Sequence, residues 1–171
     1  MDVAVIGTGT AGRALGEALT VAGHLVRYGS RTPEDAIKIA LDGADAVILA
    51  IPGAAVADFL REHAPALDAK IVIDGTNKHD GDGPTHSAAE FAILAPGARY
   101  ARAFNALAWR SFADRGAHAD LFYSAEEADR PTVERLIRDC DLTPVPLGPA
   151  QYDLLDRLLE LWSTLEKPVD S

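Results

Sequence analysis

Three glycines near the amino terminus have the spacing of a phosphate-binding turn. They lie between an apolar run and a helical pattern in the stretch VAVIGTGTAGRALGEAL. Gly7 would permit a tight turn, Gly9 would let the backbone approach a pyrophosphate, and Gly12 would let strand and helix pack closely. Since a helix amino terminus also favours anions, we expect this turn to bind a dinucleotide. The predicted contacts are Gly7, Thr8, Gly9, Thr10, Ala11 and Gly12.

The next predicted strand ends in RYGSRT, without the acidic residue that follows it in NAD-binding proteins. That acid, about 20 residues beyond the glycine turn, binds a ribose 2′-hydroxyl and would repel a 2′-phosphate. Ser30 and Thr32 can instead donate hydrogen bonds to a phosphate, and Arg31 can pair with it and stack on adenine. The sequence therefore predicts selectivity for NADP. The alternative is that Arg31 is an ordinary surface arginine.

Further candidate contacts follow the other predicted strands, whose carboxyl ends border the ligand site in a parallel sheet. Ala50, Ile51 and Pro52 would cover the adenosine or pyrophosphate. Asn77, Ala103 and Asn105 would border the nicotinamide, with the two asparagines donating or accepting hydrogen bonds there. Turn capping is the alternative role of both asparagines.

Apolar runs alternate with helical patterns along the chain, which is typical of βαβ units in a parallel sheet. The expected fold is a single α/β domain over residues 1–171, a doubly wound Rossmann-type sheet that is mainly parallel and flanked by helices. Strands are predicted at 3–6, 24–28, 46–51, 70–74, 98–104, 119–124 and 142–147, the last one at an edge because of its prolines. Helices are predicted at 11–22, from Pro33, and at 52–63, 87–94, 108–115, 126–140 and 152–165.

Composition narrows the possible partners. The 171 residues carry a formal net charge of −10, from 26 acidic and 16 basic residues. This balance argues against nucleic acid or an anionic membrane surface as a partner. The single Cys140 excludes an internal disulfide and suits a reducing compartment. No apolar run reaches the roughly 20 residues of a membrane span, and no signal peptide is visible, so we expect a cytoplasmic protein.

Other chemistry-bearing residues match no known catalytic pattern. The loop with His79, Asp80, Asp82 and His86 has no zinc-site spacing, so we interpret it as a solvated polar loop and predict no metal. His24 is interpreted as a turn residue, while His63 and His118 are interpreted as surface residues. Cys140 is interpreted as a packing residue. No catalytic side chain is assigned, because hydride exchange between two redox cofactors needs mainly alignment and exclusion of water.

Four stretches taken together resemble the NADPH-dependent reductases of the deazaflavin coenzyme F-420. These are the glycine turn through GSRTPEDA, then AVILAIP, IVIDGTN and ARAFNALAW. The resemblance covers the chain to about residue 110 and, more weakly, the final helix. It implies NADP binding through Thr8, Ser30, Arg31 and Thr32, with hydride exchange to a stacked deazaflavin or flavin. The family has Asn-Pro where this chain has Asn77-Lys78, and Lys where it has Arg102, so the acceptor does not transfer.

The functional hypothesis is an NADP(H)-dependent oxidoreductase with a deazaflavin or flavin-like acceptor. A non-catalytic protein that binds NADP(H) as a sensor is the alternative, and a ferric or quinone reductase that works through bound flavin is a third. The final helix, at about residues 150–166, has a broad apolar stripe of leucines and Trp162. Such a stripe would pack on the domain and leave a patch for a second copy, so we expect a homodimer.

Overall fold

Five short strands form one parallel sheet at the centre of the computed structural model, which describes residues 1–33, 35–79, 83–105 and 119–165, the side chains of 162–165 excepted. The strands are β1 (Asp2–Ile6), β2 (Leu25–Gly29), β3 (Ala46–Leu49), β4 (Ile71–Asp74) and β5 (Arg99–Arg102). Their order is β2-β1-β3-β4-β5, and all four pairings are parallel. The order changes direction between β1 and β3, which makes this the switch point where such sheets bind ligands.

Helices cover both faces of the sheet, as the doubly wound prediction requires. They are α1 (Thr10–Val21), α2 (Ala36–Leu41), α3 (Val56–His63), α4 (Ala88–Leu94), α5 (Arg130–Asp139) and α6 (Tyr152–Leu165). Because side chains alternate along a strand, Val3 and Val5 pack with α1 and α5, while Ala4 and Ile6 pack with α2, α3 and α4. The strands β1, β3 and β4 are therefore almost wholly apolar and buried, which is why their positions were readable from sequence.

The last two predicted strands do not join the main sheet. β6 (Asp120–Tyr123) and β7 (Thr143–Pro146) form a separate two-stranded parallel sheet, with α5 as the crossover between them. A single antiparallel bridge, in which Arg102 and Ser124 exchange backbone hydrogen bonds of 2.8 and 3.0 Å, connects this pair to β5. The prediction of a sixth strand in the parallel sheet was therefore wrong, whereas the edge position of β7 is confirmed. Pro144 and Pro146 lack the N–H groups that another neighbour would need.

Several element boundaries also differ from the predicted ones. α2 begins at Ala36 rather than at Pro33, because residues 31–33 form a bend and the Ala36 N–H closes a turn onto the Pro33 carbonyl. β3 ends at Leu49, and a 3-10 turn, Gly53–Ala55, precedes α3. α5 begins at Arg130, with Pro131 in its first turn, where a missing N–H leaves no bond unmade. The helix predicted at 108–115 lies outside the described residues.

No helix within the described ranges is long and apolar enough to cross a membrane.

Candidate functional site

The carboxyl ends of the central strands are held side by side. Four backbone hydrogen bonds continue the pairing just beyond the strands, and each joins the end of one strand to the first residue after its neighbour. The N–H groups of Gly7, Ala50, Gly75 and Ala103 donate to the carbonyls of Gly29 (2.8 Å), Ile6 (2.8 Å), Leu49 (3.1 Å) and Asp74 (3.4 Å), respectively. The predicted site residues that follow β1, β2, β3 and β4 therefore lie along one edge of the sheet.

The Gly7–Gly12 turn has little room for any side chain at its two ends. Gly7 has φ of +119°, and a Cβ there would lie 2.2 Å from the Ala50 carbonyl oxygen. A Cβ on Gly12 would lie 2.0 Å from the Gly7 carbonyl oxygen. These contacts confirm that Gly7 permits the tight turn and that Gly12 permits close helix–strand packing, because real Cβ atoms do not approach so closely.

The middle of the same turn is open. A Cβ on Gly9 would meet no atom within 4 Å, and Thr8, Gly9 and Thr10 are all exposed. Gly9 is the N-cap of the 12-residue helix α1, so the free amide N–H groups of the helix face this open space. An anion can approach the backbone here without displacing any side chain.

Arg13, which was not among the predicted site residues, places a cation beside the turn. The Nε of Arg13, in the first turn of α1, donates to the Thr8 carbonyl oxygen at 2.8 Å. The guanidinium is thereby held next to the exposed residues of the turn, with its Nη groups still able to donate. Its position adds positive charge where the helix dipole is already favourable to an anion.

At the end of β2 and just beyond it, the chain has small and cationic residues where an acid would be expected. Gly29 is buried, and a Cβ there would lie 2.7 Å from Ile6 Cδ1 and 3.1 Å from Ile37 Cα. Ser30 donates its hydroxyl to the Thr32 carbonyl, which fixes the bend after the strand. Arg31 and Thr32 are exposed, and the Arg31 side chain has no hydrogen bond or ion pair with another described residue. Arg31 can therefore pair with a ligand anion without first breaking an ion pair to any of them.

The residues that follow β3 lie along the same edge of the sheet. Ala50 and Ile51 are half-buried, and Pro52 is exposed. The next residue, Gly53, comes so close to the loop after β4 that a Cβ would lie 2.5 Å from the Asn77 carbonyl oxygen. The residues after β3 and after β4 are thus in direct backbone contact.

A buried carboxylate ends β4. Asp74 Oδ1 accepts hydrogen bonds from the backbone N–H and the hydroxyl of Thr76, at 2.9 and 2.7 Å. Its Oδ2 accepts from the Ser87 N–H at 3.1 Å and from the Tyr100 hydroxyl at 2.8 Å. Burial, with the Asp74 charge beside it, raises the pKa of Tyr100, so this phenol remains protonated and stays a donor to Asp74.

The side chain of Arg102 lies in the same network and is completely buried. Its guanidinium contacts Asp74 of β4 at 3.4 Å and Asp156 of α6 at 2.7 Å. From the sequence, Arg102 was evident only as a departure from the family pattern, and Asp156 was not predicted as a site residue. The available signal was a charged residue between the apolar Ala101 and Ala103 of a predicted strand, because a buried charge requires a partner.

The two predicted nicotinamide asparagines are connected. Asn77 Nδ2 donates to the Asn105 carbonyl oxygen at 2.8 Å, so the structure brings these residues together. The Asn105 side chain is buried, with 6% of the residue exposed, and neither its Oδ1 nor its Nδ2 has a hydrogen-bond partner within the described part of the chain. Unpaired buried amide atoms cost about 1–3 kcal/mol. Ala103, in contrast, is fully buried in the core that faces α1 and α5.

The remaining histidines and the cysteine have structural partners. His24 lies between the turn at 22–23 and β2, as predicted, and its side chain is buried with Nε2 2.7 Å from Asp139 Oδ2 of α5. His63 packs against Phe59 in a tilted arrangement and is mostly covered, so its interpretation as a surface residue was wrong. Cys140 is buried, and this burial raises its thiol pKa to about 12, which confirms packing. His118 lies outside the described residues.

The polar loop after β4 is only partly described. His86 is buried and its Nε2 lies 3.1 Å from Asp153 Oδ1 of α6, so the interpretation as a fully solvated loop was wrong at this position. His79 is exposed, whereas Asp80 and Asp82 lie outside the described residues. Within the described ranges, no three His, Cys, Asp or Glu side chains are grouped so that they could hold a metal ion.

Comparisons with solved structures support the fold. The chain is similar to a candidate F-420-dependent NADP reductase from Arthrobacter sp., with a TM-score of 0.80 and 24% identity over 96% of this chain and 93% of that one. It is also similar to a hypothetical protein from Sinorhizobium meliloti, with a TM-score of 0.67 and 27% identity over 89% and 87% of the two chains.

A larger protein shares the same domain. A reductive aminase from Aspergillus terreus, solved in complex with NADPH and ethyl levulinate, has a TM-score of 0.72 and 21% identity. The match covers 96% of this chain but 60% of the aminase. No protein-family model and no curated protein matches the chain. The structural similarities confirm the single-domain Rossmann-type α/β fold.

Proposed function

We propose that this chain binds NADP(H) at the sheet edge and exchanges a hydride between its nicotinamide and a small redox acceptor of the deazaflavin or flavin type. One observation carries the proposal: an open glycine turn at the amino end of α1 lies beside Ser30, Arg31 and Thr32 after β2. The Gly7–Gly29 hydrogen bond of 2.8 Å holds these two segments together. A pyrophosphate would bind the first, and a 2′-phosphate the second.

The residues present fit such a cofactor at three places. Gly9 leaves open space at the helix terminus, where the pyrophosphate would bind. Arg31 is exposed beside it, and the side chain of Asn105 has donor and acceptor atoms without a partner among the described residues, which would match a carboxamide. The bound dinucleotide would supply the hydride donor or acceptor, while the protein aligns it and excludes water. Ile51 and Pro52 would cover the adenosine or pyrophosphate.

The type of acceptor is proposed from two considerations. The strand ends DGTN and AFN resemble those of deazaflavin reductases, and a solved structure described as a candidate F-420-dependent NADP reductase shares the fold over nearly the whole chain. Reduction of a carbonyl would in addition require a positioned proton donor. Tyr100 is not free for that role, because its hydroxyl is directed to the Asp74 carboxylate.

A redox assay tests the enzyme directly. Protein, NADPH and oxidised F-420 are mixed, and loss of the reduced-nicotinamide absorbance is followed against a protein-free control; FMN replaces F-420 in a second series. We expect NADPH oxidation well above the control with one of the two acceptors. NADPH binding without turnover would contradict the enzyme and support a sensor. Reduction of a ferric or quinone acceptor that requires added flavin would support the third hypothesis.

We also propose that the protein works as a homodimer. On α6, Leu155 is buried against the domain, whereas Leu154 and Leu161 are 44% and 58% exposed. The outer side of the helix therefore has apolar surface that a second copy could cover.

A further inference from the structure

Arg102 is an unusual residue to find at the end of a buried strand, and its hydrogen-bonding capacity is fully used. The guanidinium has five N–H groups, and the structure provides an acceptor for each. Nε donates to Asp156 Oδ1 at 2.8 Å. The acceptors for the two Nη groups are the Thr76 carbonyl (2.9 Å), Asp74 Oδ2 (3.4 Å), Asn77 Oδ1 (2.9 Å) and Thr85 Oγ1 (3.1 Å).

Asp156 of α6 contacts the Arg102 guanidinium through one carboxylate oxygen and the loop after β4 through the other. Asp156 Oδ1 also lies 2.7 Å from Arg102 Nη2, so one carboxylate oxygen contacts two nitrogens of the guanidinium. Asp156 Oδ2 accepts the backbone N–H groups of Thr85 and His86, both at 3.1 Å. The C-terminal helix is therefore fixed both to β5 and to the loop that follows β4.

The same guanidinium determines how the Asn77 amide is oriented. Because Arg102 Nη2 can only donate, the atom 2.9 Å from it must be the amide oxygen of Asn77. The amide nitrogen then faces the other way and donates to the Asn105 carbonyl at 2.8 Å. If the Asn77 amide were reversed, its NH2 group would face the arginine donor and its oxygen would face a carbonyl, so both hydrogen bonds would be lost.

We propose that Arg102 is a positioning residue, which acts through Asn77 to hold the nicotinamide end of the site, and that Asp156 of α6 keeps it in place. The proposal rests on the function proposed above. On this proposal, the residues that follow β4 and β5 keep their positions only while the C-terminal helix is docked. Neither Arg102 nor Asp156 would need to contact the cofactor.

The Arg102→Lys variant separates the positioning role of this side chain from its charge, because lysine keeps the positive charge. Its ammonium would still balance the carboxylates of Asp74 and Asp156, but it has three donors on a flexible stem in place of a planar group with five. With three donors for the five acceptors around Arg102, at least two of the present hydrogen bonds would be lost, and the flexible ammonium would not fix the Asn77 oxygen. A matched control is available on the same strand, since Arg99 is 48% exposed in its side chain and contacts Asp129 at 3.4 Å.

The test compares two ligands by calorimetry: NADP+ and adenosine 2′,5′-bisphosphate, which lacks the nicotinamide half. In Arg102→Lys we expect the affinity for NADP+ to fall by up to about tenfold, the value of one or two such hydrogen bonds. The affinity for the bisphosphate should stay within about twofold, because its contacts lie at the β1 and β2 ends of the sheet. Arg99→Lys should leave both affinities unchanged.

A second variant keeps the proposal testable if Arg102→Lys does not fold. Asn77→Ala removes the side chain through which Arg102 is proposed to act and leaves the buried charges in place. It should therefore lower the affinity for NADP+ but not for the bisphosphate. In the double variant the loss should not exceed the larger single loss, since both changes remove the same contact.

The outcomes are distinct. A wild-type protein that binds neither ligand would overturn the proposed function and this inference with it. If the wild type binds both ligands, an unchanged affinity ratio in Arg102→Lys or, where that variant is unfolded, in Asn77→Ala would overturn the positioning role alone. Parallel loss of both affinities would also overturn it, because it would indicate a general structural effect.

Discussion

Gly29 illustrates how packing and ligand preference are joined at the scale of a single residue. A Cβ there would lie 2.7 Å from Ile6 Cδ1 of β1 and 3.1 Å from Ile37 Cα of α2. A side chain with a carboxylate would therefore have to displace Ile6 and crowd the backbone of α2. The residues that follow, Ser30 and Arg31, can then serve a phosphate. Core packing therefore favours glycine over an acid at the end of β2, and the exposed residues that follow are not acidic either.

Arg31→Ala tests the proposed 2′-phosphate contact. Loss of one charge-assisted interaction should weaken NADPH binding by about 1.5–3 kcal/mol, while NADH binding should barely change because NADH has no 2′-phosphate. Titration calorimetry with both cofactors measures the difference, and Arg61→Ala, an exposed arginine on α3, is the control. Equal losses for the two cofactors would contradict the assignment.

The glycines of the turn should respond to alanine in opposite ways. Gly9 has φ of −71° and free space at its Cβ, so Gly9→Ala should change the free energy of unfolding by less than about 1 kcal/mol. Its methyl group would lie where the pyrophosphate is proposed, and should weaken NADP+ binding by about 1–3 kcal/mol.

Gly12→Ala provides the matched contrast. Its Cβ would lie 2.0 Å from the Gly7 carbonyl oxygen, so this variant should lose about 1–3 kcal/mol of stability. Urea unfolding and NADP+ titration of both variants separate folding from binding. If Gly9→Ala binds NADP+ as the wild type does, no pyrophosphate lies against that residue.

At the scale of elements, α5 contains a carboxylate that makes stability depend on pH. Glu134 accepts hydrogen bonds from the Tyr123 hydroxyl (2.6 Å), Arg130 Nε (2.8 Å) and Arg138 Nη2 (2.6 Å). These bonds, the one from Tyr123 first, lower the Glu134 pKa to about 2 from its ordinary value of 4.5. The helix is thereby tied to β6 through its charged side.

The stabilisation by Glu134 should vanish in acid. A carboxyl group with a depressed pKa stabilises the fold fully above its ordinary pKa, and this contribution falls as the pH drops from 4.5 towards 2. The difference in unfolding free energy between wild type and Glu134→Gln should therefore shrink across that range in urea titrations. Glu127→Gln, whose carboxylate is 73% exposed, is the control. A difference that does not vary with pH would contradict the prediction.

How far the elements could be predicted depended on which neighbours they have. β1, β3 and β4 are buried on both faces, so local composition identified them and the Rossmann-type sheet around them. β6 alternates exposed and buried residues, and nothing in that local pattern shows whether it pairs in parallel with β5 or with β7. Its parallel pairing with β7 and its single antiparallel bridge to Arg102 both join residues that are distant in sequence.

The candidate site was predictable to a similar extent. The glycine turn and GSRT are contiguous motifs, so their residues could be named directly. The network behind the asparagines joins β4, β5 and α6, and Arg102 and Asp156 are 54 positions apart. No spacing rule connects such a pair. A charge within an apolar strand and an acid within an apolar helix indicated only that each required a partner.

At the scale of the whole molecule, the sheet order places two different chemistries at one edge. The switch point between β1 and β3 lies beside the Gly7–Gly12 turn, with β2 on one side. The β4 and β5 ends, on the other side, have the amide and carboxylate network that α6 helps to hold. A dinucleotide laid along this edge would extend from Arg31 to Asn105. The C-terminal helix thus contacts the β4 and β5 ends, the half of the edge where the acceptor is proposed to bind.

The proposed dimer can be tested through the exposed leucines of α6. Leu161→Glu should shift the dimer–monomer midpoint by about tenfold or more, because a charge at an apolar interface loses its hydration. Light scattering across a concentration series measures the mass against the 18.1 kDa of one chain. Ile93→Glu on α4, 77% exposed in the wild type, introduces the same charge elsewhere and should leave the midpoint unchanged. A wild type that is monomeric throughout would disprove the dimer, and equal shifts in both variants would place its interface elsewhere than α6.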